Sequence, residues 1–285
     1  MITGSFEYHQ PDSLDSAVSL LAQHGDDARV LAGGHSLIPM MKLRLAVPEH
    51  LIDLQAIDSL KLIEATDSIV RIGAMTTQAE LISSDALSKA APIVQETALQ
   101  IADPQVRYMG TVGGNVANGD PGNDMPALMQ CLNASFILKG PDGERTVKAR
   151  DFYEAAYFTA RDDLEILTEI QFAACSGCGY AYEKQKRKIG DYATAAAAVL
   201  ITAEAGACKD ASIALTNLAD TPVYCEEASK NLVSNGVTDS SINEAVHSAM
   251  EQIEPVDDNR GPAEFKKHAA SIILERAIRM AWSRT

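Results

Sequence analysis

The sequence predicts an α+β chain in which two subdomains are followed by a C-terminal domain of antiparallel sheet plus helices. Three observations predict it. Helical and strand-like hydrophobic periods alternate within residues 1–57, turn-bounded alternating runs dominate residues 58–175, and residues 178–285 pass from apolar strand-like runs to helical stripes. With 285 residues and 46% hydrophobic content, the chain can bury a sizeable core and lies in the range where several subdomains form.

In the first unit, Leu14, Ala17, Val18 and Leu21 fall on one helical stripe after Pro11, and Gly25 stands where a C-terminal cap belongs. Val30-Leu31-Ala32 reads as a strand running into Gly33-Gly34-His35-Ser36, and Leu51-Ile52-Asp53-Leu54 reads as another. The second unit opens with strand-like alternation at Ile69–Gly73. Thr77 and Glu80 then have the spacing of a capping box, and a further helix is expected around Ile93–Ala102. Phe136-Ile137-Leu138 and Thr146-Val147 flank the hairpin turn Pro141-Asp142-Gly143, and the alternating run Leu164–Ile170 closes the sheet. The last unit contains strand-like runs at Tyr180–Lys184 and Ser212–Thr216 around an alanine-rich apolar stretch, Ala193–Ala203. It ends in a helical stripe of Phe265, Ala269, Ile272, Ile273, Arg276 and Met280, expected to pack on that sheet.

A formal charge of −15 repels phosphate backbones and anionic headgroups, which argues against nucleic-acid binding. Met1–Ser5 lacks the basic segment and apolar run of a signal peptide, so the expected location is the cytoplasm. Five cysteines, an odd number, predict free thiols; Cys175 and Cys178 have C-x-x-C spacing but neither a second ligand pair nor a redox-motif helix, and read as part of a loop between strands. The six histidines are spread along the chain without a ligand motif, so no metal site is expected.

Two segments share one design: Ala32-Gly33-Gly34-His35-Ser36 and Thr111-Val112-Gly113-Gly114-Asn115. Paired glycines let a backbone turn through positive φ and present its N–H groups to an anion such as a pyrophosphate, with Ser36, Thr111 or Asn115 adding side-chain bonds. Either pair alone is equally a plain tight turn. Neither matches a P-loop or a Rossmann fingerprint, and no helix is expected to start on either. The second segment continues through Asn118-Gly119-Asp120-Pro121-Gly122-Asn123-Asp124, a run costly to order unless a ligand or partner satisfies it.

These segments resemble the first and second FAD motifs of the medium subunits of molybdenum hydroxylases, the xanthine dehydrogenase family. Tyr182–Ala195 is similar to the flavin-side loop of carbon monoxide dehydrogenase medium chains in particular, and the likeness spans essentially the whole chain. Cys175–Cys178 departs from the proline-containing segment of that family. The resemblance implies a two-subdomain FAD-binding fold of the PCMH/VAO type. It implies that Ala32–Ser36 and Thr111–Asn115 wrap the FAD pyrophosphate through backbone N–H groups, and that Asp124 bonds cofactor hydroxyls. Lys184 would lie by the flavin pyrimidine edge and Tyr192 would cover one ring face. Read from the residues alone, Asp124 is equally a helix cap, Lys184 one more solvated charge beside Lys186, Arg187 and Lys188, and Tyr192 a packed tyrosine with a wet hydroxyl; His35 is expected to make a structural hydrogen bond.

No nucleophile–base pair or paired carboxylates stand out, and an electron-relaying flavin needs none. The family implies a molybdenum-containing large subunit that oxidises CO with water, an iron-sulfur small subunit, and a heterotrimer or a dimer of heterotrimers. Electrons would leave this FAD for an acceptor such as a quinone. The competing readings are the FAD subunit of a hydroxylase acting on an aldehyde, xanthine or N-heterocycle, a stand-alone oxidase with covalent flavin, and a scaffold that has lost its cofactor.

Overall fold

A computed structural model describes residues 2–285. Glu7–His9 (β1), Leu14–His24 (α1), Ala28–Leu31 (β2), Leu37–Lys42 (α2) and His50–Asp53 (β3) form the first unit. Its sheet is parallel, in the order β1-β3-β2. Helix α1 buries Ala17, Val18 and Leu21 against it, with the Ser13 hydroxyl capping its start and Gly25 at φ +50° ending it, as the stripe and the glycine predict.

Ile63–Ala65 (β4) and Ile69–Gly73 (β5) lead into six short helices, Gln78–Ser83 (α3), Asp85–Ala90 (α4), Pro92–Ala98 (α5), Pro104–Met109 (α6), Val112–Ala117 (α7) and Asp124–Cys131 (α8). Ser135–Gly140 (β6), Gly143–Lys148 (β7), Tyr153–Ala155 (β8), Phe158–Thr159 (β9) and Ile166–Ala173 (β10) follow. β4-β5-β10-β6-β7 make an antiparallel sheet, while β8 and β9 form a separate ribbon. The Thr77–Glu80 capping box starts α3, and β6 turns into β7 over Pro141-Asp142 with Gly143 at φ +126°. Below this sheet Phe136 and Phe152 meet edge to face, ring centroids 4.8 Å apart, in a core shared with α5 and α8.

Gly179–Gln185 (β11), Ala195–Glu204 (β12), Ala207–Thr216 (β13) and Val223–Tyr224 (β14) form the last sheet, antiparallel and in sequence order. Glu226–Asn235 (α9), Asp239–Glu251 (α10) and Ala263–Ser283 (α11) follow. The alanine-rich run becomes β12 because its two faces feed two cores. Ala196, Ala198 and Leu200 pack toward the middle unit, whereas Ala195, Ala197, Val199 and Ile201 pack under the C-terminal helices. A strand covered on both faces needs no polar alternation, and alanine lets both layers approach. The Cys175–Cys178 stretch is the β10–β11 turn; Cys175 is buried in apolar surroundings that push its thiol up to about 12.

One packing expectation needs correction. Phe265 and Ile272 are 44% and 38% exposed, and α11 instead buries Lys266, Ala270, Leu274, Ala277, Ile278 and Ala281 together with Ala269 and Ile273. The helix lies so close to β11 that a Cβ at Gly179 would stand 2.0 Å from the Ala281 carbonyl oxygen, and its buried face mixes Ala270, Ala277 and Ala281 with Ile273, Leu274 and Ile278. Lys266 is buried because its ammonium donates to the Val256 carbonyl and pairs with Asp258 at 2.8 Å.

A buried polar cluster helps join the middle and last units. Tyr182 and Lys184, two residues apart on one face of β11, both donate to Asp124 at the start of α8: the phenol to Oδ1 at 2.6 Å and Nζ to Oδ2 at 2.8 Å. The Lys184 side chain is fully buried and also donates to the Gln100 carbonyl. Burial pushes the Asp124 carboxyl above the ordinary carboxylate range, and Lys184 and then Tyr182 pull against that shift. Among the described residues no helix is long and apolar enough to cross a membrane.

Two stability outcomes follow. Lys184→Met strands a buried carboxylate and costs about 3–5 kcal/mol, whereas adding Asp124→Asn recovers much of it; denaturant unfolding of both singles and the double measures the coupling, and additive losses would contradict a bonded pair. Gly179→Ala lowers stability by about 1–3 kcal/mol through overpacking, while Gly177→Ala, with nothing within 4 Å of its added Cβ, leaves the melting temperature nearly unchanged.

Candidate cofactor-binding site

A cavity of about 560 Å³ opens where the first sheet, helices α6–α8 and the β11–β12 loop meet. Of the residues singled out in the sequence, Ala32, Gly33, Gly34, His35, Ser36, Thr111, Gly113, Gly114, Asn115, Asp124 and Tyr192 line it. Val112 does not: it is fully buried in the middle core. Lys184 does not line it either and sits behind Asp124, paired and out of water, so the reading of it as a solvated charge is overturned. Lys186 donates to Gln100 Oε1 at 2.6 Å, and burial and then Lys184 draw its pKa below the ordinary lysine value.

The two glycine segments prove to be different devices. In the first, the N–H groups of Gly33, Gly34, His35 and Ser36 make no hydrogen bond within the described chain, and Gly34 holds φ +75°. Four free amides leave the C-terminal end of β2 around one turn, an anion-binding arrangement. In the second, every amide from 112 to 115 is already used: Val112 donates to the Thr76 carbonyl, Gly113 to the Ala74 carbonyl, Gly114 to Thr111 Oγ1 and Asn115 to the Thr111 carbonyl. That corrects two expectations. A helix, α7, does start on this segment with Thr111 as its N-cap, and its backbone is not a second ring of free donors. Local propensity hides this helix because paired glycines disfavour it; bonds to residues 74 and 76 hold it in place.

The glycines also divide their roles. A Cβ on Gly33 would stand 2.1 Å from the Met109 carbonyl oxygen, and one on Gly113 would stand 2.4 Å from the Ala74 Cβ. These first glycines are packing contacts. A Cβ on Gly114 instead would crowd its own cap, Thr111 Oγ1, at 2.8 Å and approach the Ala32 Cβ at 3.4 Å across the cavity wall. The second segment therefore contributes close backbone approach and side chains. Asn115 Oδ1 is buried and has no partner.

Sequence reasoning missed Gln78. It is 1% exposed, lines the cavity, and neither its Nε2 nor its Oε1 finds a partner in the chain. The capping box places it at the first position of α3, but nothing local reveals that this position faces a cavity. Buried amide groups left unpaired cost roughly 1–3 kcal/mol each, and three such atoms beside four free amides mark a wall built for a polar ligand. Asp124 is the first residue of α8 rather than its cap, a position Asn123 occupies. His35 is exposed and its ring makes no hydrogen bond in the chain, contrary to the structural bond expected of it. Tyr192 is 42% exposed at the cavity mouth, with the Arg260 guanidinium 5.2 Å from its ring centroid. The sequence reading also left the histidines apart, whereas the fold gathers His9, His24 and His50.

Comparison with known proteins gives the family. Residues 4–173 match the family model described as the FAD binding domain in molybdopterin dehydrogenase, and residues 180–281 match the CO dehydrogenase flavoprotein C-terminal domain. The chain is 57% identical to the carbon monoxide dehydrogenase medium chain of Afipia carboxidovorans and 46% identical to that of Hydrogenophaga pseudoflava, in each case over 100% of this chain and 99% of the relative. The solved structure of reconstituted CO dehydrogenase from Oligotropha carboxidovorans contains a chain that superposes with a TM-score of 0.98 at 57% identity, covering both chains completely. The chain belongs to the family of FAD-binding chains of the molybdopterin dehydrogenases, and its C-terminal domain is that of the CO dehydrogenase flavoproteins.

Proposed function

We propose that this chain is the FAD-carrying medium subunit of a carbon monoxide dehydrogenase. The observation that carries the reading is the pairing of full-length identity to such medium chains with a cavity whose wall presents four unpaired backbone amides and unpaired Gln78 and Asn115 side chains. In this reading Gly33, Gly34, His35 and Ser36 donate to the pyrophosphate. Thr111, Gly114 and Asn115 bound the cofactor from the facing wall, and Gln78 supplies an amide there. Asp124 accepts from cofactor hydroxyls with whatever lone pairs Tyr182 and Lys184 leave free. Lys184 acts on the flavin through its pair with Asp124, and Tyr192 covers one face at the mouth. When bound, FAD supplies the electron relay between iron-sulfur centres and an external acceptor such as a quinone.

The remaining chemistry lies on other chains. The five cysteines are dispersed and free, so they offer no iron-sulfur ligand set. We place a molybdenum-containing large subunit and an iron-sulfur small subunit beside this chain, in a heterotrimer or its symmetric double, and we place the complex in the cytoplasm, where free thiols persist. The divisions 1–57, 58–175 and 178–285 are our working domain boundaries, each built on one main sheet, with the β8–β9 ribbon also in the middle one. A covalent flavin oxidase is the poorer reading, since no cysteine and only His35 among the histidines lines the cavity.

In the co-purified complex, Gly114→Val should cut FAD content about tenfold or more, since one lost unit of 1.4 kcal/mol is tenfold. Normal flavin absorbance in the folded variant would overturn the cradle. The same complex should reduce a dye with CO as donor; turnover with aldehydes or N-heterocycles alone would overturn the CO assignment and leave the FAD role standing.

A further inference from the structure

His9, His24 and His50 come from three separate elements yet offer ligand nitrogens that all lie within 4.8 Å of one another. The fold makes this convergence. Parallel pairing of β1 with β3 sets Glu7 opposite His50, so His9 and His50 stand two register positions apart on one face, and His9 Nε2 lies 3.1 Å from His50 Nδ1. His24 is the last residue of α1, and the left-handed turn at Gly25 begins its return into β2, whose first residue, Ala28, pairs with His50. Its ring stacks on that of His50 with centroids 3.7 Å apart. All three side chains are half-buried, and the Glu7 carboxylate stands 3.6 Å from His50 Nδ1, adding negative charge beside the group.

We propose that these three imidazoles form a binding site for a divalent transition ion of the zinc type, unrelated to the FAD cavity. Imidazole nitrogens are ligands of intermediate softness that suit Zn2+, Co2+, Ni2+ and Cu2+. Around a tetrahedral zinc with Zn–N of about 2.0–2.1 Å, ligand nitrogens lie about 3.3 Å from each other. Reaching that spacing requires the His24 and His50 rings, stacked with centroids 3.7 Å apart, to turn out of that stack so that their in-plane lone pairs converge on one point. Three protein ligands leave the fourth position to water or to the Glu7 carboxylate. The ion would tie β1, β3 and the end of α1 together at the edge where β2 and β3 begin. The free amides of the first glycine turn leave from the other end of β2, so the ion would not touch them.

The test uses the full chain without an affinity tag, stripped of metal and dialysed against buffered Zn2+, with bound zinc counted by elemental analysis. Wild type should hold one ion per chain that His24→Gln and His9→Gln each lose, with affinity falling about tenfold or more, since even the loss of an outer-shell partner costs roughly 10–100-fold. Both variants should keep the wild-type circular dichroism spectrum and FAD content. Co2+ in place of zinc should give visible absorption bands that vanish in the same variants. Zinc uptake equal in wild type and variants, or no uptake by wild type at micromolar free zinc, would overturn the site; neither result bears on the FAD assignment, which the flavin content reads separately.

Discussion

Asp124 is only 4% exposed in the cavity wall, and the shape of that cavity depends on how its charge is held. Its partners come from β11, the first strand of the C-terminal sheet, and they reach it because Tyr182 and Lys184 share one face while Ala181 points into the other core. A buried carboxylate with one partner removed is far more costly than one never made, so the pairing obliges α8 and β11 to stay in register. The C-terminal domain is therefore part of the wall. Helix α8 begins at the cavity with the last sheet docked behind it.

A second constraint is back-to-back packing of the glycine turns. Gly33 touches the backbone at Met109, Gly113 touches Ala74, and Gly114 faces Ala32. Each turn needs its first glycine to let another piece of backbone pass, which fixes the distance between the two walls before any ligand enters. Only the first turn keeps its amides free. The second spends its amides on residues 74, 76 and 111, and what it offers to the cavity is a close surface and the Asn115 side chain. Segments that look alike in sequence thus differ in what they can bind, because the difference lies in bonds to distant residues.

That contrast explains how much was legible in the sequence. Helix α1, the Thr77 capping box and the Pro141-Asp142 hairpin were readable because each is decided within a few residues by a stripe, a cap or a turn. The two glycine segments were readable as a pair through their resemblance to the FAD motifs of medium subunits. Helix α7 was not, because tertiary hydrogen bonds overrule the propensity of Gly113-Gly114. The buried face of α11 was only partly legible: Ala269 and Ile273 are buried as the stripe suggests, but tertiary packing buries Leu274 and Ile278 where the stripe put Phe265 and Ile272. Gln78, the burial of Lys184 and the convergence of His9, His24 and His50 all depend on register between strands or helices far apart in the chain, which no local window contains.

The mouth of the cavity repeats the logic of its floor. The β11–β12 loop carries Tyr192 to the opening, and a second segment of the C-terminal domain holds that loop. Arg187 donates to the Asn259 carbonyl and pairs with Asp191, and the Arg260 guanidinium lies over the Tyr192 ring. On the inner side Gly122 leaves room for the same ring, since a Cβ there would stand 3.2 Å from Tyr192 Cδ1. One domain thus both pins the carboxylate beneath the cavity and positions the aromatic ring at its entrance. On the proposed reading, a flavin that exchanges electrons with partners on other chains needs a fixed seat, and the same docked sheet would set it.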